Sequence, residues 1–135
     1  MDLSPLTASV IAMVINGGAY IAEIMRSGFQ SIPYGLQEAG MALGMTSRQV
    51  FLNIRLKLAL KNAFPALINQ FILLFLFSSV TSTISMPELT YITFNLQSST
   101  ARVFEVLLIS GAMYYVITIL FVALFRKCEK KLFSW

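Results

Sequence analysis

Residues 62–87 read NAFPALINQFILLFLFSSVTSTISMP, 26 positions without a charged side chain. An α-helix rises about 1.5 Å per residue, so roughly 20 residues cross the ~30 Å hydrocarbon core of a bilayer. Two further windows have the same character: Leu3–Ala22 and Val106–Phe125 each run 20 residues without a charge. Backbone polar groups in lipid must be satisfied within the segment, so all three windows read as helices. The composition agrees. The 135 residues are 57% hydrophobic and 12% charged, with mean hydropathy +0.75. A soluble domain this small keeps too much of its surface exposed to hide that apolar content. Intrinsic disorder is excluded for the same reason. The lone Cys128 has no disulfide partner, and with no His the usual zinc and copper ligand sets are missing. The N-terminal window lacks the basic flank of a cleaved signal, since it follows Met1-Asp2 with no Lys or Arg.

Basic residues set the expected orientation. Arg26, Arg48, Arg55, Lys57 and Lys61 lie between the first and second windows, and Arg126, Lys127, Lys130 and Lys131 follow the third. Only Arg102 falls between the second and third, so nine of ten basic residues share one side. That side is expected to be cytoplasmic, with the N-terminus outside and the C-terminus inside. The net charge of +4 then reflects topology and headgroup attraction. No basic surface interleaved with aromatics marks a nucleic-acid site. Tyr91, Phe94, Phe133 and Trp135 stand where interfacial aromatics are expected, and juxtamembrane Cys128 reads as a free thiol.

Glu23–Lys61 spans 39 residues, far longer than the two to eight usual between bundle helices. It therefore carries structure of its own. Ser31-Ile32-Pro33-Tyr34-Gly35 breaks the chain. A short helix is expected over Leu36–Leu43, stopped by Gly44. Thr46 or Ser47 then caps a second helix, with Gln49 placed to close a capping box from Thr46. Its apolar positions Val50, Phe51, Ile54, Leu58 and Leu60 recur at roughly helical spacing.

Glu38-Ala39-Gly40, then Gly44, then nine residues and Ile54-Arg55-Leu56 follow the order and spacing of the EAA loop, so the segment resembles that of ABC importer permeases. The run Asn16-Gly17-Gly18-Ala19-Tyr20-Ile21-Ala22-Glu23-Ile24-Met25-Arg26-Ser27-Gly28 resembles the third span of the polar amino acid branch. Asn69-Gln70-Phe71-Ile72-Leu73-Leu74, Pro87-Glu88-Leu89 and Phe104-Glu105-Val106 resemble its later segments. The likeness covers nearly the whole chain and corresponds to the C-terminal portion of such a permease. Lys57 stands where the family has Pro, and Leu76-Phe77-Ser78-Ser79 stand where it usually has Lys, Asp or Asn, and small hydroxyl residues. With Lys57 in place of Pro, one continuous helix is expected from about Ser47 to Asn62, because Lys is about 3 kcal/mol better than Pro inside a helix.

The resemblance implies an all-α integral membrane protein with three transmembrane helices and a cytoplasmic two-helix EAA coupling loop. Spans are expected at about 3–25, 63–86 and 103–125, and the loop at about 27–62. It implies a multi-pass subunit of the cell (inner) membrane in an ATP-driven importer of polar amino acids. The implied partners are an ATP-binding subunit, a second permease subunit (homo- or heterodimer), an extracytoplasmic amino acid binding protein and the lipid bilayer; no nucleic acid and no cofactor is expected. Glu38, Ala39, Ala42, Leu43 and Gly44 would dock the ATPase. The plainer reading of Gly44 is an ordinary helix C-terminal glycine.

Asn16, near the middle of the first window, either bonds a neighbouring helix or meets solute. Asn69 and Gln70 leave the same choice. Ser78 and Ser79, with Thr81, Ser82 and Thr83, either bond backbone carbonyls within the helix or line a polar path. Glu23 and Arg26 are spaced to pair on one helix face. Pro65 is expected in the first turn of the second span, and Ser85-Met86-Pro87-Glu88 as the start of a short outer helix reaching about Leu96. No nucleophile–base pair, carboxylate dyad or phosphate-binding glycine loop is present. The chain is expected to be a transporter subunit and not an enzyme. The other reading is a truncated or non-transporting small membrane protein acting as an interaction module.

Overall fold

The computed structural model describes residues 4–132; Leu3, Phe133 and Trp135, named above, lie outside the described residues. Five helical elements and no strand make up the described chain: α1 (Pro5–Gln30), α2 (Tyr34–Ala42), α3 (Ser47–Ile84), α4 (Leu89–Thr100) and α5 (Val103–Leu132). Three of them, α1, α3 and α5, are long and apolar enough to cross a membrane. Each runs past its expected span at the end that carries the basic residues, because backbone hydrogen bonding continues into the polar flank, while α3 stops at Ile84. α1 starts on a local cap, with the Ser4 hydroxyl accepting from the Thr7 N–H and Pro5 in the first turn.

α3 is a single rod with three internal geometries. Ser47–Val50 is α-helical, Phe51–Arg55 forms a π turn, Leu56–Phe77 is α-helical again and Ser78–Ile84 tightens to a 3₁₀ helix. The helix passes through Leu56–Leu58 without a break, as the Lys at 57 permits. Pro65 corrects the expectation drawn from the charge-free window. It lies inside the helix and not in its first turn, because α3 begins well before the window does and the two helical stretches fuse.

α1 and α3 run antiparallel and approach closely through small residues. A Cβ added at Gly28 would sit 2.8 Å from the Ala59 carbonyl oxygen and 3.0 Å from the Ala63 Cβ. Nearer the other end, a Cβ at Gly17 would meet Leu74 at 2.8 Å. α5 packs on a neighbouring face of α3 through rings. Phe71 meets Phe121 and Phe125 edge-on, with centroids 5.4 and 5.1 Å apart. Phe75 meets Tyr114 and Phe121 at 5.7 and 5.6 Å. Edge-to-face rings at such separations attract through their quadrupoles.

Buried hydrophobic residues are few: Val50, Ala59 and Ala63. Val14, Ile15, Leu108, Ile109, Tyr115 and Leu120 are among many large side chains more than half exposed. In water such a surface would aggregate. In a bilayer it is the lipid- or partner-facing wall, where apolar exposure costs nothing.

Helix α4 begins differently from expectation. Pro87 precedes the helix, Glu88 is the N-cap, and helix runs from Leu89 to Thr100, a turn past Leu96. Ser85 takes the left-handed conformation, φ 59°, which ends α3 and redirects the chain before Pro87 can enter a helix. The Glu88 carboxylate accepts from the Tyr91 N–H at 2.8 Å and from the Tyr114 hydroxyl on α5 at 2.9 Å. Tyr114 also lies 3.0 Å from the Thr90 hydroxyl. One carboxylate thus caps α4 and fastens it to α5.

Candidate functional site

The segment joining α1 to α3 is built on hydrogen bonds that its own sequence supplies. Ser31 caps α1, its hydroxyl donating to the Gly28 carbonyl at 2.8 Å and accepting from the Asn62 amide of α3 at 2.8 Å. Phe29 stacks on Phe51, centroids 5.9 Å apart and planes within 5°. The turn occupies Ser31–Pro33 only; Tyr34 and Gly35, expected in the break, are already helical. α2 follows from Tyr34.

α2 ends in a Schellman arrangement. The Gly44 N–H donates to the Met41 carbonyl at 2.9 Å and the Met45 N–H to the Gly40 carbonyl at 3.2 Å. Gly44 has φ +82°, a conformation that costs an L-residue about 1–2 kcal/mol. Thr46 then opens α3 with a full capping box. Its N–H donates to the Gln49 Oε1 at 2.9 Å and the Gln49 N–H returns to its hydroxyl at 3.4 Å. Two orphan donors are satisfied reciprocally, and α2 is held against α3 by a short bend.

Gly40 makes that packing possible. A Cβ there would lie 3.0 Å from both Ile54 and Val50. Glycine inside a helix costs about 1 kcal/mol relative to Ala, so a mid-helix glycine signals a packing reason. That signal, with the same one at Gly28, was available in the sequence and not used. With Gly40 turned inward, the other face of α2 is bare: Glu38, Ala39, Ala42 and Gly44 are exposed, and Leu43 is 85% exposed. Tyr34, 82% exposed, extends the same surface. A short amphipathic helix with small residues and one protruding Leu, held rigidly to two long helices, is suited to sit in a groove of another protein. Beside it a cavity of about 350 Å³ is lined by Arg26, Phe29, Tyr34, Gln37 and Arg55. The Glu23–Arg26 pair forms as its spacing implies, Arg26 Nε lying 2.9 Å from Glu23 Oε2. Both side chains are largely exposed, so the pair adds little stability.

The four candidate path residues have different surroundings. Gln70 is buried in α3, Asn16 is exposed on α1, and Ser78 and Ser79 are half-buried. The hydroxyls of Ser78 and Ser79 donate to the Phe75 and Leu76 carbonyls at 2.7 and 2.8 Å. Thr81, Ser82 and Thr83 likewise bond carbonyls three residues earlier. These bonds suit the 3₁₀ turn they decorate and occupy each hydroxyl's donor, while the oxygen lone pairs stay available. The groove between α1 and α3 is lined by Met13, Val14, Gly17, Gly18 and Leu74 and is apolar. Among the described residues, no group of three or more His, Cys, Asp or Glu could hold a metal ion.

This arrangement has close counterparts. Residues 3–134 match the family described as binding-protein-dependent transport system inner membrane component. The chain is 32% identical over 127 residues to the arginine transport system permease protein ArtQ of Bacillus subtilis (strain 168), covering 94% of this chain and 58% of that one. It is 34% identical over 132 residues to the glutamine transport system permease protein GlnP of Escherichia coli (strain K12), covering 98% and 60%. The crystal structure of an amino acid ABC transporter with histidines superposes with a TM-score of 0.87 at 38% identity, over 97% of this chain and 61% of that one. The chain therefore spans about three-fifths of the length of these relatives. Its three apolar helices are those of a multi-pass inner-membrane protein. With a match along nearly its whole length, the chain belongs to the family of binding-protein-dependent transport system inner membrane components.

Proposed function

We propose that this chain supplies the coupling and translocating portion of a permease subunit in an ATP-driven importer of polar amino acids. ATP is hydrolysed on a separate subunit that docks on Glu38, Ala39, Ala42, Leu43 and Gly44. A second permease subunit completes the path, and an extracytoplasmic binding protein delivers the solute on the other face. Asn16, Gln70, Ser78 and Ser79 contribute polar groups to that path. The observation that carries the reading is the exposed face of α2, fixed to α1 and α3 through Gly40, Gly28 and the Thr46 box. Movement of the loop is then transmitted to two spans together, a rigid-body step of the kind alternating access requires.

Docking is tested by recovering the cognate ATP-binding subunit on the tagged wild-type and Gly44→Asp chains in detergent. Asp tolerates the left-handed conformation better than most residues, so a loss reports the surface and not the collapse of the bend. Recovery is expected to fall at least about tenfold, the effect of losing a hot-spot contact. Equal recovery would place docking elsewhere and favour an interaction module that keeps the fold without transport. Orientation is tested in a Cys128→Ser background. A cysteine at Ser98 should react with an impermeant thiol reagent from outside, and one at Ser47 only after the membrane is opened. The reverse pattern would overturn the N-out, C-in topology.

A further inference from the structure

A second polar cavity, of about 470 Å³, lies between α3 and α5 and is lined by Lys61, Arg126, Lys127, Glu129 and Lys130. Four cationic side chains there face one carboxylate. Its level in the molecule follows from the charge pattern. Lys61 immediately precedes the 26-residue charge-free window, and Arg126 immediately follows the 20-residue one. Both therefore stand at the edge of the hydrocarbon, at the depth of lipid phosphates. On α5 the cations follow directly on Phe125, whose ring meets Phe71 of α3 further into the span, centroids 5.1 Å apart. Leu60 and Leu124, one residue from Lys61 and two from Arg126 in the chain, are exposed by 37% and 56%.

We propose that this cavity binds the headgroup of an anionic phospholipid. The shared chemistry is phosphate recognition by ammonium and guanidinium groups, and Arg126 can take two phosphate oxygens at once. The lipid is favoured over a free phosphate because the cations border the charge-free windows of α3 and α5, where headgroups sit beside the hydrocarbon. Basic pockets between helices on the cytoplasmic side bind such headgroups in other membrane proteins. The bound lipid would bridge α3 and α5. The proposal rests on α3 and α5 crossing the bilayer, and not on docking of an ATPase or on transport.

The test is native mass spectrometry of the full chain in detergent, titrated with phosphatidylglycerol or phosphatidylcholine, without any partner subunit. One phosphatidylglycerol should be retained in preference to phosphatidylcholine. Arg126→Gln/Lys130→Gln should weaken retention about 30-fold, roughly fivefold for each charge removed near the headgroup. Arg48→Gln/Lys57→Gln removes the same charge away from the cavity and should leave retention unchanged. Arg126→Lys/Lys130→Arg should retain the lipid, and circular dichroism checks that each variant is helical. If the Gln pair does not fold, Lys61→Gln replaces it with an expected loss of about fivefold. Equal loss in both double-Gln variants, or equal retention of the two lipids, would overturn the site. Displacement of phosphatidylglycerol by inorganic phosphate at equal concentration would overturn the lipid assignment. Failure of ATPase docking leaves every one of these readouts intact, so the two readings fail separately.

Discussion

The two faces of α3 are packed by opposite means. Toward α1 the contact is backbone against backbone, with Gly28 set on the Ala59 carbonyl and Ala63. Toward α5 it is ring against ring, through Phe71, Phe75, Tyr114, Phe121 and Phe125. A glycine seam has one geometry, because no side chain can rotate to absorb a displacement, and helices gain strongly from such close approach in lipid. An aromatic interface has several, since rings can slide and tilt at little cost. The seam joins α1 and α3 as one body, while α5 meets α3 through rings and is tied to α4 by the bond from the Tyr114 hydroxyl to the Glu88 carboxylate.

The comparison breaks most decisively at Gly28. Gly28→Leu drives a branched side chain into the Ala59 backbone, which cannot retreat, and should cost more than about 3 kcal/mol, beyond ordinary overpacking. Gly18→Leu, where a Cβ meets nothing within 4 Å, should change little. Thermal unfolding in detergent compares the two, and equal midpoints would mean the seam is not rigid. Next comes Glu88→Ala, which removes both the α4 cap and the Tyr114 partner. A loss of about 2 kcal/mol is expected, a cap of about 1 plus a hydrogen bond of similar size. Hydrogen exchange should quicken across residues 89–92 and leave the coupling loop as it was.

Gly44→Val should cost about 1–2 kcal/mol through its left-handed backbone alone, since no neighbour crowds the position. Faster proteolysis at the bend with an unchanged unfolding midpoint would show that the strain stays local. The smallest effect belongs to Tyr114→Phe, which keeps the ring against Phe75 and deletes the hydroxyl, for about 1 kcal/mol. If it matched Glu88→Ala, the cap would contribute nothing and the outer tie would be the tyrosine bond by itself.

Much of this was legible in the sequence where a local rule governs. The capping box at Thr46 and Gln49, the bend at Gly44, the turn at Ser31–Pro33 and the uninterrupted helix through Lys57 depend on near neighbours, and the structure has each of them. The pairing of Glu23 with Arg26 follows from spacing alone. Pro65 was misplaced because a charge-free window marks what lipid tolerates and not where a helix begins. The role of Glu88 as a cap fastened to α5 depends on a residue 26 positions away, and no periodicity reports that. Gly40 was legible only as an oddity whose cause lies in Val50 and Ile54. The π turn at Phe51–Arg55 had no signal in composition. Among the candidate path residues, the donation of the Ser78 and Ser79 hydroxyls to backbone carbonyls was foreseen as the simpler alternative.

That π turn changes how α3 behaves as a mechanical part. With 38 residues in unbroken helix, the rod is on the order of 60 Å long, and it meets the bend after α2 at one end. A π turn holds one residue more than an α turn, so everything after it faces as it would in an α-helix one residue shorter. Removing one residue between Phe51 and Arg55 would therefore leave an ordinary α-helix whose two ends keep their mutual orientation, whereas tightening the π turn with every residue kept would rotate α2 relative to the shaft beyond Leu56 by roughly 100°.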